Sequence, residues 1–444
     1  MTPAGRIQAA ADLLAAIEAQ PRRPADAIAN DFFRARRFIG GGDRRAVSEL
    51  AWGVVRQRLR LDWHLSELGA APDARRLLIA HLLLAEGWTP QKLAGHFTGD
   101  RFAPGALSTE EVALVRRLAS RPLVDLAMPD NARLNLPDWA LPGLRARFGE
   151  ALAAEAAAME IPAPLDLRAN LLRTNREAAR MALAAEGIAA EPMPYSPWGL
   201  RVADRKPVSA TAAFKEGLVE VQDEGSQLIA LLADARPGMR VADYCAGAAG
   251  KTLALAATMG NRGHIVACDV SAPRLEGAGR RLRRAGVDNA ERHLLVAGDK
   301  WRKRRGRSFD RVLVDAPCTG SGTWRRNPDA RTRTNATDLA ELAAKQGAIL
   351  EDASELVRPG GRLVYATCSL LPEEDEMQIE RFLERHADFV VKPVPGLWAE
   401  LCPGVAPPGA QDGSSAPGEG LFMALSPARH GTDGFFAAVL ERRP

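Results

Sequence analysis

Two of the five cysteines in this 444-residue chain follow apolar runs that are typical of buried strands. Cys318 ends the run "FDRVLVDAPC", and Cys368 ends the run "GRLVYATC". If the two strands are neighbours, they lie about 4.8 Å apart and both thiols share one edge of the sheet. A thiolate is a reactive nucleophile, so this pattern indicates covalent catalysis. The alternative is a pair of buried cysteines that behave as small hydrophobic residues.

Acidic residues follow other apolar runs in the same part of the chain. Asp269 ends "HIVACD", Asp299 ends "LLVAGD" and Asp315 ends "RVLVD", so we expect all three at strand ends. In an open parallel sheet, ligands bind outside the carboxyl ends of the strands. The acids are therefore candidates for ligand binding, although each could instead cap a helix.

A turn of small residues, "YCAGAAGKT", joins the first predicted strand to a helix that we expect to begin at Lys251. Small residues allow a ligand to approach the backbone, and a helix N-terminus offers free N–H groups. The spacing fits neither a phosphate-binding loop nor G-x-G-x-x-G. Asp269 follows Gly250 by about 20 residues, where an acid binds the ribose of an adenosine ligand. S-adenosylmethionine therefore fits this turn better than a dinucleotide.

A thiol beside a methyl donor suits methylation at carbon 5 of a cytosine. Carbon 5 is a poor nucleophile, but addition of a thiolate at carbon 6 converts the ring into an enamine that can attack a methyl group. The adduct must then lose the carbon-5 proton and expel the thiolate, which a second thiol or base assists. We expect Asp315 to accept a hydrogen bond from the exocyclic amine or a protonated ring nitrogen.

The elements that position these residues fall into three parts. Residues 1–140 show helical periodicity, with Asp43 as the expected N-cap of an arginine-rich helix. This module either packs against the rest of the chain or binds a polyanion. A proline-rich stretch, 130–165, is predicted to be a hinge, and a small α+β domain follows to about residue 220. The arginines predicted to lie on the arginine-rich helix that begins after Asp43 are Arg44, Arg45, Arg56, Arg58 and Arg60.

From about residue 220, apolar strands alternate with helices, which predicts a parallel sheet covered on both faces. The last 24 residues predict two closing antiparallel strands, and residues 402–420 predict a flexible loop. The five predicted strands of the sheet are "RVADY", "HIVACD", "LLVAGD", "RVLVDAP" and "GRLVYATCS".

The composition of the chain argues against several classes of protein. The chain has no apolar run of about 18 residues, so we expect no membrane span. An odd number of cysteines without a C-x-x-C pair favours a reducing cytoplasm and argues against a zinc site or a disulfide framework. We expect Cys245, Cys268 and Cys402 to be structural, with Cys402 in the loop. The net charge is only +4, but basic clusters at 280–284 and 300–307 are either solvated surfaces or contacts for an acidic partner.

The motifs "VQDEGSQ", "DYCAGAAGKT", "DAPCTGSGTWRRNPD", "YATCSLLPEEDE" and "GTDGFFAAVL" resemble, in order and spacing, the RsmB/Nop/Sun family of RNA cytosine-5 methyltransferases. The resemblance covers the chain from about residue 160 to its end. It implies a Rossmann-like class I methyltransferase domain at 221–444 and a small RRM-like domain with its linker at 141–220. Residues 1–140 look like the helical NusB-like RNA-binding domain of the bacterial members.

The resemblance also implies roles for individual residues. Cys368 in the Thr-Cys motif is then the nucleophile, and Cys318 in the Pro-Cys motif assists product release. One departure is the cofactor loop, where Gly247, Ala248 and Ala249 replace the Ala, Pro and Gly of the usual C-A-A-P-G-G-K. Alanine at 249 costs stability if that position needs a positive φ. The implied cofactor positions are Cys245, Ala246, Gly247, Ala248, Ala249, Gly250, Lys251, Asp269, Asp299 and Asp315.

We therefore predict an S-adenosylmethionine-dependent RNA cytosine-5 methyltransferase, monomeric and cytoplasmic, that acts on small-subunit ribosomal RNA. Arg325 and Arg326 are predicted to hold RNA phosphates at the mouth of the site. The target base must leave its stack, which favours single-stranded or loop RNA. Three alternatives remain: the same reaction on transfer RNA, a non-catalytic RNA-binding assembly factor, and a small-molecule methyltransferase.

Overall fold

The computed structural model describes residues 1–202, 207–408 and 420–444. These residues divide into two compact units, Met1–Glu160 with Trp324–Ala336, and Ile161–Thr323 with Thr337–Pro444. The first is the helical unit and the second is the catalytic unit. Among the described residues, no helix is both long and apolar enough to cross a bilayer.

The helical unit is built from amphipathic helices around one core. In the first helix, Ile7, Ala10 and Leu14 are buried at helical spacing. The segment Trp324–Ala336, which we call the return segment, belongs to this unit although it follows the Pro-Cys motif in sequence. The helices of the unit are α1 Pro3–Glu18, α2 Ala25–Ala35, α3 Gly41–Arg56, α4 Arg58–Glu67, α5 Ala74–Leu84, α6 Pro90–Ala94, α7 Thr109–Leu118, α8 Asp130–Leu134, α9 Leu141–Phe148, α10 Leu152–Ala158 and, in the return segment, α17 Ala330–Arg333.

Two predictions for the arginine-rich helix were wrong. Gly40, not Asp43, is the N-cap of α3. Asp43 lies in the first turn instead, where it pairs with the amino group of Met1 at 2.9 Å and with Arg6 at 2.8 Å. The helix also ends at Arg56, so Arg58 and Arg60 lie on α4, beyond a break at Gln57.

The catalytic unit contains two sheets. A four-stranded antiparallel sheet has the order β2-β3-β1-β4, and an eight-stranded sheet has the order β10-β12-β9-β8-β5-β6-β7, with β11 paired to β12. The strands are β1 Leu165–Ala169, β2 Ala190–Pro192, β3 Gly199–Val202, β4 Val219–Val221, β5 Arg240–Asp243, β6 His264–Asp269, β7 Ala290–Leu294, β8 Phe309–Asp315, β9 Val357–Thr367, β10 Phe389–Val391, β11 Met423–Leu425 and β12 Phe435–Arg442.

Helices cover the sheets of the catalytic unit. They are α11 Arg176–Ala185, α12 Ala212–Lys215, α13 Glu224–Leu232, α14 Gly250–Met259, α15 Ala272–Ala285, α16 Trp301–Arg304, α18 Ala336–Ser354, α19 Glu376–Arg385, α20 Val394–Leu401 and α21 Pro427–His430. Strands β5 to β9 of the larger sheet pair in parallel, whereas β12 pairs antiparallel with β9, β10 and β11. The Rossmann-like α/β fold and the antiparallel closing strands are thereby confirmed.

The third strand of the larger sheet differs from its prediction. The strand is β7, and "LLVAGD" lies almost entirely beyond its end. Strand β7 is the edge of the sheet and its residues are largely solvent-accessible, so it lacks the apolar run that marks a buried strand. Asp299 therefore does not end a strand but lies in the following loop.

The predicted hinge is largely helical, and the predicted loop is described only in part. Helices α8, α9 and α10 occupy most of 130–165 and belong to the helical unit. Residues 141–160 belong to the helical unit, whereas residues 161–220 share one compact unit with the methyltransferase part, so the three-domain division remains a prediction. Within the predicted loop 402–420, residues 409–419 lie outside the described part. Cys402 directly follows α20, at the start of the predicted loop, and its side chain is buried in the core.

Candidate active site

The two thiols lie together at one edge of the larger sheet. Cys318 follows β8 and Cys368 follows β9, and these strands are parallel neighbours. The Sγ atoms are 3.3 Å apart, and both side chains line the same cavity. The hydrogen bond to Cys368, together with burial, raises the pKa of Cys318 well above its ordinary value. Cys318 is therefore held as a thiol beside its neighbour.

A buried carboxylate joins the two loops that carry the cysteines. Glu374 Oε1 accepts from Thr319 N at 2.9 Å and from Gln346 Nε2 at 3.0 Å. Its Oε2 accepts from the hydroxyls of Thr319 and Ser369, each at 2.5 Å. Four donors fill the acceptor sites of an ionised carboxylate. Since Thr319 follows Cys318 and Ser369 follows Cys368, this one side chain fixes the relative positions of both thiols.

The charge of Glu374 also acts on the cysteine pair. After the hydrogen bond and burial, the negative charge of Glu374 is a further cause of the raised pKa of Cys318. Gln346 contributes indirectly, because its amide also donates to the carbonyl of Pro317 at 2.9 Å. Sequence reasoning missed Glu374 and Gln346. The acids that follow the Thr-Cys motif were the available signal for Glu374, but a loop acid ordinarily faces solvent, whereas Glu374 is fully buried.

The turn of small residues precedes α14 as predicted, and its backbone is left-handed at two positions. Gly247 has a φ of 54° and Ala249 has a φ of 64°. Position 249 therefore does need a positive φ, and an alanine with a fully buried side chain occupies it. Two arginines brace the turn from outside: Arg168 donates to Gly250 O at 3.1 Å, and Arg281 donates to Ala248 O at 2.8 Å.

Three strand-end acids surround the turn. Asp269 accepts from Gly247 N and Ser271 N, both at 2.8 Å, and thus fixes the turn against β6. Asp315 pairs with Lys251 at 2.6 Å. Asp243, which sequence reasoning did not select, ends β5 and accepts from the Thr252 hydroxyl at 2.6 Å. Burial raises the pKa of Asp243 to about 6.

A cavity of about 1190 Å³ extends from the thiols past this turn. The exposed apolar side chains of Val270 and Val296 line it, 69% and 56% accessible. The predicted strand "LLVAGD" is thus apolar because it faces the cavity, not because it is buried in a sheet. Asp243 also lines the cavity, and its Oδ1 has no hydrogen-bond partner in the part of the chain that the structure describes. An apolar slot, strand-end acids and an unpartnered carboxylate oxygen suit the adenine, ribose and ammonium groups of S-adenosylmethionine.

The remaining predicted site residues have structural partners. Asp299 lines the cavity, but its carboxylate bonds His293 Nε2 and Trp301 N, both at 2.7 Å, and so serves the start of α16. Cys245 and Ala246 line the cavity beside the turn. Arg325 is buried in the helical unit and Arg326 is partly buried there, so their predicted RNA contact remains a prediction.

The basic clusters separate into two kinds. In the 280–284 cluster, Arg281 and Arg284 pair with the buried Glu220, so these two arginines are structural. In the 300–307 cluster, Arg302 pairs with Asp352 and Glu355, and several of its neighbours line the cavity. Within the described ranges, no group of three or more His, Cys, Asp or Glu side chains could hold a metal ion.

Comparison with known proteins yields consistent matches over most of the chain. Residues 230–441 match the family described as 16S rRNA methyltransferase RsmB/F, and residues 136–209 match the ferredoxin-like domain of RsmF/B-like methyltransferases. The chain is 32% identical to a probable ribosomal RNA small subunit methyltransferase B from Synechocystis, covering 90% of this chain and 91% of the relative. It is also 32% identical to the Pasteurella multocida ribosomal RNA small subunit methyltransferase B, covering 90% and 88%.

Solved structures support the same architecture. The crystal structure of PH0851 matches all of this chain and 99% of its own, with a TM-score of 0.77 and 24% identity, which shows the fold. A methyltransferase homologue from Pyrococcus horikoshii has a TM-score of 0.59 and 29% identity, over 70% of this chain and 97% of its own.

Proposed function

This chain belongs to the RsmB/F family of 16S ribosomal RNA methyltransferases, and from that membership we propose that it methylates carbon 5 of a cytosine in 16S ribosomal RNA through a covalent adduct with Cys368. S-adenosylmethionine is the cofactor. The observation that carries the proposal is the contact of 3.3 Å between two thiols that line the cofactor cavity. Methyl transfer to oxygen or to an amine needs no such pair.

The proposed roles follow the positions of the side chains. Cys368 adds to carbon 6 of the cytosine as a thiolate, which makes carbon 5 nucleophilic. Asp315, paired with Lys251, accepts a hydrogen bond from the amine or protonated ring nitrogen of the base and favours that addition. The cofactor supplies an electrophilic methyl group on its sulfonium. Carbon 5 then carries both the new methyl group and the proton that must leave.

Release of the product requires a proton balance that Cys318 can provide. The proton of carbon 5 moves to the Cys318 sulfur while the thiol proton of Cys318 passes to the Cys368 sulfur, and the bond between carbon 6 and Cys368 breaks in the same step. Cys368 then releases that proton to solvent, which restores the thiolate for the next attack. Each turnover thus adds one methyl group to carbon 5 and replaces one proton there. The raised pKa of Cys318 supports this role, because it keeps the thiol protonated during the attack by Cys368.

We place the cofactor in the part of the same cavity that extends from the thiols past the 247–250 turn. We propose that Asp269 accepts from the ribose hydroxyls and that Val270 and Val296 enclose the adenine. The unpartnered Oδ1 of Asp243 and the backbone of the 247–250 turn suit the charged amino-acid end.

The two cysteines give different predicted phenotypes. Cys368→Ala is expected to abolish methylation and to form no covalent complex with RNA. Cys318→Ala is expected to permit attack and methyl transfer but to stall release, so a protein–RNA adduct accumulates. Each variant is incubated with S-adenosylmethionine and a 16S ribosomal RNA fragment, and the adduct is detected as a slow band in denaturing electrophoresis.

The buried Cys402→Ala variant is the control, because it removes a thiol outside the cavity. It should methylate normally and leave no adduct. An adduct with Cys368→Ala and none with Cys318→Ala would reverse the roles. If all three variants lose activity only in proportion to lost stability, both cysteines are core residues and the covalent mechanism is wrong. Replacing the 16S fragment by transfer RNA tests the substrate.

A further inference from the structure

The helical unit contains a second cavity, of about 880 Å³, between α2 and α3. We define the arginine pocket by six of its lining residues: Phe33, Arg34, Arg37, Arg44, Arg45 and Trp52. The single acidic side chain that lines it is Asp26. Four guanidinium groups against one carboxylate leave an excess of positive charge in one concave surface. All of these residues lie within the helical unit.

The arginines of this pocket differ in their contacts from others in the helical unit, although Arg44 donates to Ile39 O at 2.8 Å. Arg56 donates to a backbone carbonyl, Arg58 pairs with Glu18 and Asp62, and Arg60 pairs with Glu160, so these three hold the unit together. In contrast, Arg37 and Arg45 are exposed, and their side chains make no hydrogen bond or ion pair to any residue that the structure describes. Arg34 has only an exposed pair with Asp31 at 3.3 Å. Their charges are therefore available to a ligand.

Aromatic side chains form part of the same wall. Phe33 and Trp52 are both partly buried, which fixes their rings while one side remains accessible to the cavity. Arg44 is held partly against Phe33, with its guanidinium carbon 5.9 Å from the ring centre. Guanidinium forks match phosphate oxygens, and aromatic faces stack on bases that are not paired. Duplex RNA presents phosphates but no free base face.

We propose that the arginine pocket binds single-stranded RNA, with phosphates on Arg37 and Arg45 and an unpaired base against the aromatic wall. This inference rests on the proposed function, since it concerns a second contact with the same RNA, away from the reacting base. Helix α2, which lines the pocket, also contacts the return segment within the helical unit. The backbone N–H of Ala25, the first residue of α2, donates at 3.1 Å to Asp329 in the return segment that follows the Pro-Cys motif.

The test measures RNA affinity of the full chain and its dependence on salt. The double variant Arg37→Ala/Arg45→Ala should weaken binding of a fluorescent single-stranded RNA about 10- to 100-fold, as measured by anisotropy. Loss of two phosphate contacts should reduce the slope of log affinity against log salt by about 1.4. In methylation assays KM for RNA should rise while kcat at saturating RNA stays unchanged.

The control is Arg101→Ala/Arg116→Ala, which removes equal charge from exposed positions of the helical unit outside the pocket. Equal effects from the two double variants would overturn the site, because the arginines would then contribute only net charge. A second variant, Phe33→Leu, keeps an apolar side chain but removes the ring. It should weaken the binding of single-stranded RNA several-fold and leave the binding of a duplex of the same sequence unaffected. An equal loss of affinity for duplex RNA would overturn the assignment of the pocket to single-stranded RNA.

These outcomes are separable from those for the proposed function. Anisotropy measures binding without any methyl transfer, so an enzyme that proved inactive on cytosine could still support the pocket. Conversely, normal adduct formation by Cys318→Ala together with no effect of the pocket variants would leave the proposed chemistry intact and reject the pocket.

Discussion

Ala249 combines a strained backbone with a buried side chain, and the two effects have similar magnitudes. A left-handed φ costs an L-residue about 1–2 kcal/mol. Burial of the methyl group contributes about 0.8 kcal/mol, and glycine would lose about 0.5–1 kcal/mol in backbone entropy. The terms nearly cancel, so the chain tolerates alanine where the family pattern has glycine.

Ala249→Gly should therefore change the free energy of unfolding by less than about 1 kcal/mol, and S-adenosylmethionine affinity should stay within about threefold. Ala249→Val should destabilise far more, because a β-branched residue rarely adopts a positive φ. Chemical denaturation and calorimetry measure these effects. A large gain in stability with glycine would show that the strain is not offset by packing.

For single residues, the sequence predicted those whose chemical type and position at a strand end together indicate a role. The Cys318–Cys368 pair, Asp269 and Asp315 were found because each ends or follows an apolar strand. Asp243 also ends a strand, but the predicted strand "RVADY" extends one residue beyond it, so Asp243 was not recognised as a strand-end acid. The unpartnered Oδ1 that makes Asp243 interesting depends on packing that no local pattern encodes.

Among elements, the loops after β8 and β9 depend on one another through Glu374. The contact between the thiols thus requires the four hydrogen bonds to Glu374 as well as the pairing of the strands. We regard Glu374 as a positioning residue that acts through the cysteines.

Glu374→Gln should keep most of this network, since the two hydroxyls can turn to accept from an amide, but it removes the negative charge. The pKa of Cys318 should then fall, because an anion nearby disfavours the thiolate. Alkylation of Cys318 by iodoacetamide should begin at lower pH than in the wild-type protein, and kcat should fall more than KM changes.

The neighbouring Asp375→Asn variant is a matched control, because Asp375 is also buried and bonds the Thr367 hydroxyl. This variant should show the same pH dependence of Cys318 alkylation as the wild-type protein. If both variants shift that dependence equally, Glu374 has only a general structural role. Glu374→Ala should unfold the loops, since it leaves four buried donors without an acceptor.

Sequence patterns correctly predicted the strands that consist of apolar runs, but they misplaced the strand at the edge of the sheet. Strands β5, β6, β8 and β9 are buried on both faces, and all four were predicted. Strand β7 is exposed, while the apolar loop after it faces the cavity. A ligand cavity and a protein core impose the same apolar composition, so the pattern could not distinguish them.

In the whole molecule, the return segment makes the helical unit discontinuous. Arg331 in this segment is buried, and burial lowers its pKa to about 10. Its guanidinium donates to Met159 O at 2.9 Å and to Arg56 O at 3.4 Å, and it lies over the ring of Trp324. Nothing in the linear pattern "RRNPDARTR" indicated membership of a helical unit that ends its main run at Glu160, because that association is purely tertiary.

Arg331→Ala should destabilise the helical unit by roughly 2–4 kcal/mol, since it leaves buried carbonyls without a donor. Thermal unfolding followed by circular dichroism measures the loss. The control is Arg333→Ala, which removes a partly exposed pair with Asp329 and should cost less than about 1 kcal/mol. Equal effects would show that the return segment contributes little to the unit.

The discontinuity also sets an order of events during protein synthesis. A ribosome that has finished residue 160 must still add the entire first part of the catalytic unit before it reaches Trp324–Ala336. At about 5–20 residues per second, this delay lasts roughly 10–35 s. During that interval the carbonyls of Arg56 and Met159 lack the guanidinium of Arg331. The helical unit, although made first, therefore completes its packing only after the Pro-Cys loop has been made.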